Sequence, residues 1–217
     1  MKTRFRDRTQ AGQQLAQQLR VYANRADGLV LALPRGGVPV AYEIAHALHL
    51  PLDICLVRKL GDPNRKESAI GAIAADGVRV LNNAAVGWLR ITPKEMEAIT
   101  NHELQELRRR DRVYRGNQPS AKIYDQIVIL VDDGLATGAT MRAAVMWVRL
   151  QRPRQLIVAV PIASKDAYKQ IKAQVDRLVC LCIPNNLYAI GIWYNNFAQV
   201  NDRQVCDLLG NANAVNN

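Results

Sequence analysis

Histidine, cysteine and phenylalanine are scarce, at three, four and two in 217 residues. His46, His49 and His102 show no ligand spacing with one another or with a cysteine, so they read as ordinary helix residues. The four cysteines lack paired spacing and do not make a disulfide framework. Cys180 and Cys182 alternate on an expected strand, share one face and read as buried free thiols. No apolar run approaches the ~20 residues that span a bilayer. The charged start MKTRFRDRTQ has no apolar segment of the kind a secretory signal needs. A cytoplasmic protein without membrane contact is the expectation. Acidic residues are also short, 19 against 29 basic, giving a net charge of +10. That balance is compatible with nucleic acid or with anionic small molecules. Arg108, Arg109, Arg110, Arg112 and Arg115 crowd one segment, which reads as a solvated helix face.

What is present is the composition of an ordinary globular protein, 49% hydrophobic and 22% charged. The length suffices for one sizeable core, and a single domain over residues 1–210 is expected. Apolar strands are predicted at 29–33, 52–57, 69–74, 78–81, 156–160 and 178–183, with residues 58–68 a polar loop. Helical periodicity covers 8–25, 38–48, 139–150 and 164–174. Thr92-Pro93-Lys94-Glu95 is a capping box, with proline at the first helical position, so a long helix should run to about Tyr114. Asp202 is placed to cap a short helix over 203–209, and the polar residues 211–217 read as a disordered tail. Strands alternating with helices give an α/β protein with a mainly parallel twisted sheet flanked by helices. The core spans about 28–183; residues 1–27 and 184–210 lie outside the alternation and form a small cap, or hood, over the strand ends.

Residues 127–140, IVILVDDGLATGAT, carry the most chemistry. Five apolar residues read as a buried parallel strand. The loop after it sits at the carboxyl end of that strand, where open α/β sheets bind ligands. Gly134 and Gly138 let backbone N–H groups approach an anion. Thr137 and Thr140 add hydroxyls, and the next helix presents its positive N-terminal end. A phosphate fits that cradle. Asp132 and Asp133 do not bind phosphate; they suit sugar hydroxyls or a metal ion. Together these features suggest a phosphorylated ribose. Two further loops gather at the same edge. Leu33-Pro34-Arg35-Gly36-Gly37 offers a guanidinium fork for phosphate, and Arg58-Lys59 ends a strand.

With these residues in place, VILVDDGLATGAT resembles the phosphoribosyl-pyrophosphate (PRPP) motif of the type I phosphoribosyltransferases. The chain is similar to bacterial phosphoribosyltransferase-like proteins that pair LPRGG with VDDGLATGAT. The resemblance covers about residues 28–183. It implies transfer of ribose 5-phosphate from PRPP to a nitrogenous base, with release of pyrophosphate. Asp132 and Asp133 would bind the ribose hydroxyls. Gly134, Leu135, Ala136, Thr137, Gly138, Ala139 and Thr140 would hold the 5-phosphate. Arg35, Gly36 and Gly37 would form the pyrophosphate loop, in which the family commonly has a cis non-proline peptide, with Arg58 and Lys59 also reaching the pyrophosphate. Asp132, Asp133, Lys59 and Arg35 are the residues that would carry catalysis. Mg²⁺ would be held mainly through PRPP, with Asp132 and Asp133 as candidate ligands. A lid would exclude water from the sugar cation; residues 61–68 are the candidate, ahead of the arginine-rich helix near 108–115.

The acceptor is less defined. Ala136 stands where 6-oxopurine members carry an aspartate, and ATG is similar to the adenine enzymes. LPRGGVPVA is instead similar to bacterial xanthine and guanine enzymes. A purine is favoured without a named base. Tyr188, Trp193, Tyr194 and Phe197 cluster near the C-terminus, and Trp193 and Tyr188 are the candidates to stack on it. The competing expectation is a non-catalytic regulatory protein that binds PRPP or a nucleotide and contacts nucleic acid. No helix-turn-helix or RNA-binding motif is visible, so nucleic acid is not the expected partner. A homodimer is compatible with the family.

Overall fold

Apolar strands buried on both faces set the centre of the molecule. The computed structural model describes residues 4–62, 65–81, 92–116 and 118–215. Strands β1 (Gly28–Ala32), β2 (Leu52–Ile54), β6 (Ile127–Val131), β7 (Gln155–Ile162) and β8 (Arg177–Cys182) form one sheet in the order β2-β1-β6-β7-β8, every neighbouring pair parallel. Every residue of β1 and β6 is buried. Alternate residues face opposite layers, as the strand pleat requires. Val30, Ala32, Ile129 and Val131 pack with residues of α1 (Arg8–Gln18) and α2 (Gly37–Leu48). Leu29, Leu31, Val128 and Leu130 pack with α4 (Ala139–Leu150) and α5 (Lys165–Lys172). The chain order reverses between β1 and β6, and that switch point is where such sheets open a crevice at their carboxyl ends.

A second sheet, β3-β4-β5, is antiparallel: β3 (Val57–Asp62), β4 (Arg65–Ala74) and β5 (Arg79–Leu81). This corrects two expectations. The apolar run 52–57 is not one strand but two, parting at Cys55 and Leu56, both buried, so hydrophobicity alone hides the break. Residues 58–68 are not a loop. Gly61, Asp62, Arg65 and Ser68 lie in the paired strands of a hairpin, whose register shifts at Gly61. Of the candidate lid, Pro63 and Asn64 and the side chains of Arg65, Lys66 and Glu67 lie outside the described residues.

The long helix is α3 (Pro93–Arg115), and its capping box is formed in both directions. The Thr92 hydroxyl accepts from Glu95 N, and the Glu95 carboxylate accepts from Thr92 N. Its C-terminal end is fixed by Arg115, which donates to Asp53 of β2 at 2.9 and 3.2 Å; Asp53 also accepts from Ala121 N at 2.8 Å. Both side chains are close to buried, at 10% and 15% exposure. Asp53→Ala would remove two of the guanidinium's bonds and the partner of Ala121 N, leaving Arg115 with Asp111 and the Ile54 carbonyl. A loss of about 2 kcal/mol is expected, which for a chain of this size lowers the melting temperature by roughly 4–8 °C. Calorimetry checks it, and a shift under about 2 °C would mean that α3 docks without this pair.

Two further departures have physical causes. Strand β7 runs through Pro161 rather than ending there, because Pro161 lies beyond the last β6 partner, Ala159, and has no ladder bond to lose on that side. The last helix, α6 (Asp202–Val215), takes in residues 211–215 of the segment expected as a disordered tail. Ala212 is buried in the core there. Asn216 and Asn217 lie outside the described residues. Phe5 and Tyr194 form a parallel bridge, so the N- and C-terminal segments do meet as a hood. No helix among the described residues is long and apolar enough to cross a membrane.

Candidate active site

Strand β1 delivers the first loop. Its cis peptide joins Pro34 to Arg35. Leu33 N donates to Val131 O at 2.9 Å, clamping this loop to the end of β6. The two glycines are required by that closeness. A Cβ on Gly36 would lie 2.1 Å from Asp133 Oδ2, and one on Gly37 would lie 2.7 Å from Val131 O.

Strand β6 delivers Asp132 and Asp133, and the loop beyond them is oriented from outside. Leu135 O accepts from Ser164 N at 2.9 Å, Ala136 O from Ser164 Oγ at 2.7 Å, and Thr137 O from Arg142 Nη1 at 2.8 Å. A trans peptide holds its C=O and N–H on opposite sides. Tying three consecutive carbonyls outward thus turns the N–H groups of Ala136, Thr137 and Gly138 the other way, as a nest that suits an anion. Gly138 completes it at φ 69°, a left-handed conformation that glycine adopts without strain, and caps the N-terminus of α4. The Thr137 hydroxyl accepts from Ala139 N at 3.4 Å, and its own O–H can still donate.

The acidic pair is electrostatically loaded. Asp133 N donates to Asp132 Oδ1 at 2.8 Å. Burial pushes both carboxyls above the usual aspartate range; the charge of Asp133 raises Asp132 further, and Arg8 opposes the shift at both. Arg8, from the start of α1, reaches Asp133 Oδ2 with Nε at 2.9 Å and Nη2 at 2.8 Å. Its Nη1 donates to Ala198 O at 2.8 Å, and its guanidinium carbon sits 3.9 Å from the centroid of the Phe197 ring. The Tyr194 hydroxyl donates to Asp133 O at 2.7 Å. Burial and the charge of Asp133 push that phenol well above its ordinary range, so it stays a donor.

These groups border a cavity of about 430 Å³ lined by Arg8, Arg35, Gly36, Asp133, Phe197, Gln199 and Val200. Arg35 reaches Asp202 at 3.5 Å, and Asp202 accepts from the Tyr114 hydroxyl at 2.6 Å. The loop at Arg58 and Lys59 is divided. Arg58 pairs with Glu103 of α3. Lys59 is on the opposite face of β3, the face of Val57, which packs with α4. Trp193 is in the interior, and Tyr188 is 85% exposed; neither lines the cavity. Within the arginine-rich helix, Arg109 and Arg110 hold Glu106, and Arg115 is committed to Asp53. Sequence reasoning missed Arg8, Tyr114, Ser164, Arg142 and Asp202. Arg8 has no local signal, because its partner is 125 residues away. Among the described residues no group of three or more His, Cys, Asp or Glu is placed to hold a metal ion.

With this geometry established, comparison with known proteins is direct. The phosphoribosyl transferase domain model matches residues 4–192. A Mycobacterium tuberculosis protein with the provisional name phosphoribosyl transferase is 42% identical over 208 residues, 96% of this chain and 47% of that one. The chain thus spans about half the length of the curated relatives it matches. The crystal structure of a Thermus thermophilus protein aligns with a TM-score of 0.86 at 40% identity, over 95% of this chain and 97% of the other. A protein from Aquifex aeolicus, at 12% identity and a TM-score of 0.53 over 93% and 84%, shares the fold alone. The match over 4–192 takes in both the cis-peptide loop and the acidic-pair cradle, and the chain belongs to the type I phosphoribosyltransferase family.

Proposed function

We propose that this chain transfers the 5-phosphoribosyl group of PRPP to a ring nitrogen of a base, a purine being favoured, and releases pyrophosphate. The observation that carries the reading is the pairing of an inward-facing amide nest with two part-buried carboxylates at one strand end. Few ligands other than a phosphorylated sugar need both. The nest and the N-terminus of α4 hold the 5-phosphate. Asp132 and Oδ1 of Asp133 accept the ribose hydroxyls, while Oδ2 stays with Arg8. Arg35, steadied by Asp202, takes the pyrophosphate, and Lys59 is the second cation for it. The bond from the anomeric carbon to the pyrophosphate oxygen breaks as the base nitrogen bonds to that carbon, and the nitrogen's proton passes to solvent. Positive charge builds on the sugar in the transition state, beside the carboxylates, and negative charge on the leaving group, beside Arg35; fixed charges placed in this way lower a barrier without reorganising.

Two adjacent carboxylates without a third acidic partner suit Mg²⁺ shared with donor oxygens rather than caged by protein. Bound there, the ion would neutralise charge on the pyrophosphate. The test is pyrophosphate release from PRPP with Mg²⁺ and adenine, guanine, hypoxanthine, xanthine, uracil or orotate in turn. Release with one of them is expected. A folded protein that binds PRPP yet stays silent with all six would favour the regulatory reading instead.

A further inference from the structure

The aromatic ring at the cavity is not open to a base. The guanidinium of Arg8 covers Phe197 at 3.9 Å, and Tyr194 lies against it with ring centroids 4.9 Å apart. The backbone of Gly191 presses on its edge, where an added Cβ would come within 2.8 Å of the ring. The Arg8 side chain that covers this ring borders the same cavity. Its guanidinium is held at the edges: Nε and Nη2 by Asp133 Oδ2, and Nη1 by Ala198 O. One face rests on Phe197. The side chain is only 11% exposed, so it has little freedom to leave this position.

We infer that Arg8 is the stacking platform for the acceptor base, in a sandwich of Phe197, guanidinium and base. The inference rests on the transferase reading and deepens it. Guanidinium planes stack on heteroaromatic rings as aromatic side chains do. A fixed cation adds selectivity, because it attracts an electron-rich or anionic π face. The acceptor class is therefore a planar base whose ring face is electron-rich or anionic. The position agrees with the chemistry. Arg8 holds the same carboxylate that would hold the ribose, so a base stacked on it lies beside the anomeric carbon. Asp133 can serve both, since Arg8 meets Oδ2 with both of its nitrogens and leaves Oδ1 to a second partner.

The test compares nucleotides with ribose 5-phosphate, so that the base contribution is read as a ratio. Xanthosine, inosine and adenosine monophosphates and ribose 5-phosphate are titrated calorimetrically into the parent, Arg8→Lys and Arg8→Ala. The parent should bind all three nucleotides roughly tenfold or more tighter than ribose 5-phosphate, with the anionic xanthine nucleotide ahead of the other two. Arg8→Lys keeps a cation beside Asp133 without the plane, and should bring the ratios close to one; Arg8→Ala should do the same. Ratios that persist in both variants would overturn the platform. So would a variant that binds ribose 5-phosphate more tightly with its base preference intact, because Arg8 would then be a plug in the donor site. A parent that ignores ribose 5-phosphate altogether fails at the transferase reading, and the two failures are thereby distinguished.

Discussion

Changing Asp132 and Asp133 to asparagine should move binding and stability in opposite directions. For the double variant, PRPP affinity is expected to fall at least a hundredfold. Each carboxylate loses a charge-assisted bond from a ribose hydroxyl, at roughly 1.5–3 kcal/mol apiece. Isothermal titration reads this, and unchanged affinity would leave the acidic pair as a mere strand end. Stability is better read from Asp132→Asn alone, because Asp133 also holds Arg8. The carboxyl of Asp132 is raised above its ordinary 3.8 by burial and by Asp133. An acid whose folded pKa is raised binds its proton more tightly in the native state. Its contribution is fully favourable below about pH 4 and is lost as pH climbs through the raised value. Asparagine removes that loss and can still accept from Asp133 N. The variant should therefore melt a few degrees above the parent at neutral pH, with the gap closing towards pH 4. A gap that widened on acidification would contradict the assignment.

Gly36→Ala should damage both donor binding and stability. Its Cβ would lie 2.1 Å from Asp133 Oδ2 and 2.7 Å from that carboxyl carbon. The carboxylate cannot swing aside cheaply, because Arg8 holds it from two nitrogens. A cost of about 1–3 kcal/mol in stability is expected from the overpacking. Loss of detectable PRPP binding should accompany it, since Asp133 and the pyrophosphate loop must separate to admit the methyl. Gly210→Ala is the control. Nothing lies within 4 Å of a Cβ there, and the site is within α6. Alanine should leave binding intact and raise stability by up to about 1 kcal/mol. Equal behaviour of the two variants would mean that the close approach at Gly36 does not matter.

The donor half of the site is legible because its signals are contiguous. Apolar strand, acidic pair, small-residue loop and helix follow one another in residues 127–140, and each is a local preference of the backbone or of the side chains. The capping box at Thr92 is local in the same sense, and α3 begins where it says. The hood is different. Arg8 meets Asp133, and Arg35 meets Asp202, across 125 and 167 residues. No periodicity or spacing encodes such a meeting; it exists only once the sheet has brought both chain ends over the strand termini. Among the aromatic residues near the C-terminus, composition alone could not rank Phe197 above Trp193 and Tyr188, since burial and cavity lining are tertiary properties. The hairpin misread as a loop has another cause. Its strands are rich in charge, each carries a glycine, and alternation is weak where a three-stranded sheet has little core to cover.

The split between Arg58 and Lys59 sets a limit on how β3 can shift against β4. One is tethered to Glu103 of α3 and the other shares the α4 face of β3, because they are neighbours on a strand of period two. A slip of one residue between β3 and β4 would exchange the two faces. It would leave Glu103 without its partner and carry Lys59, the cation proposed for the pyrophosphate, to the wrong side, although both residues survived. A slip of two residues would keep their parity. The pairing with β4, rather than the length of the link before Arg58, therefore decides which cation meets which helix.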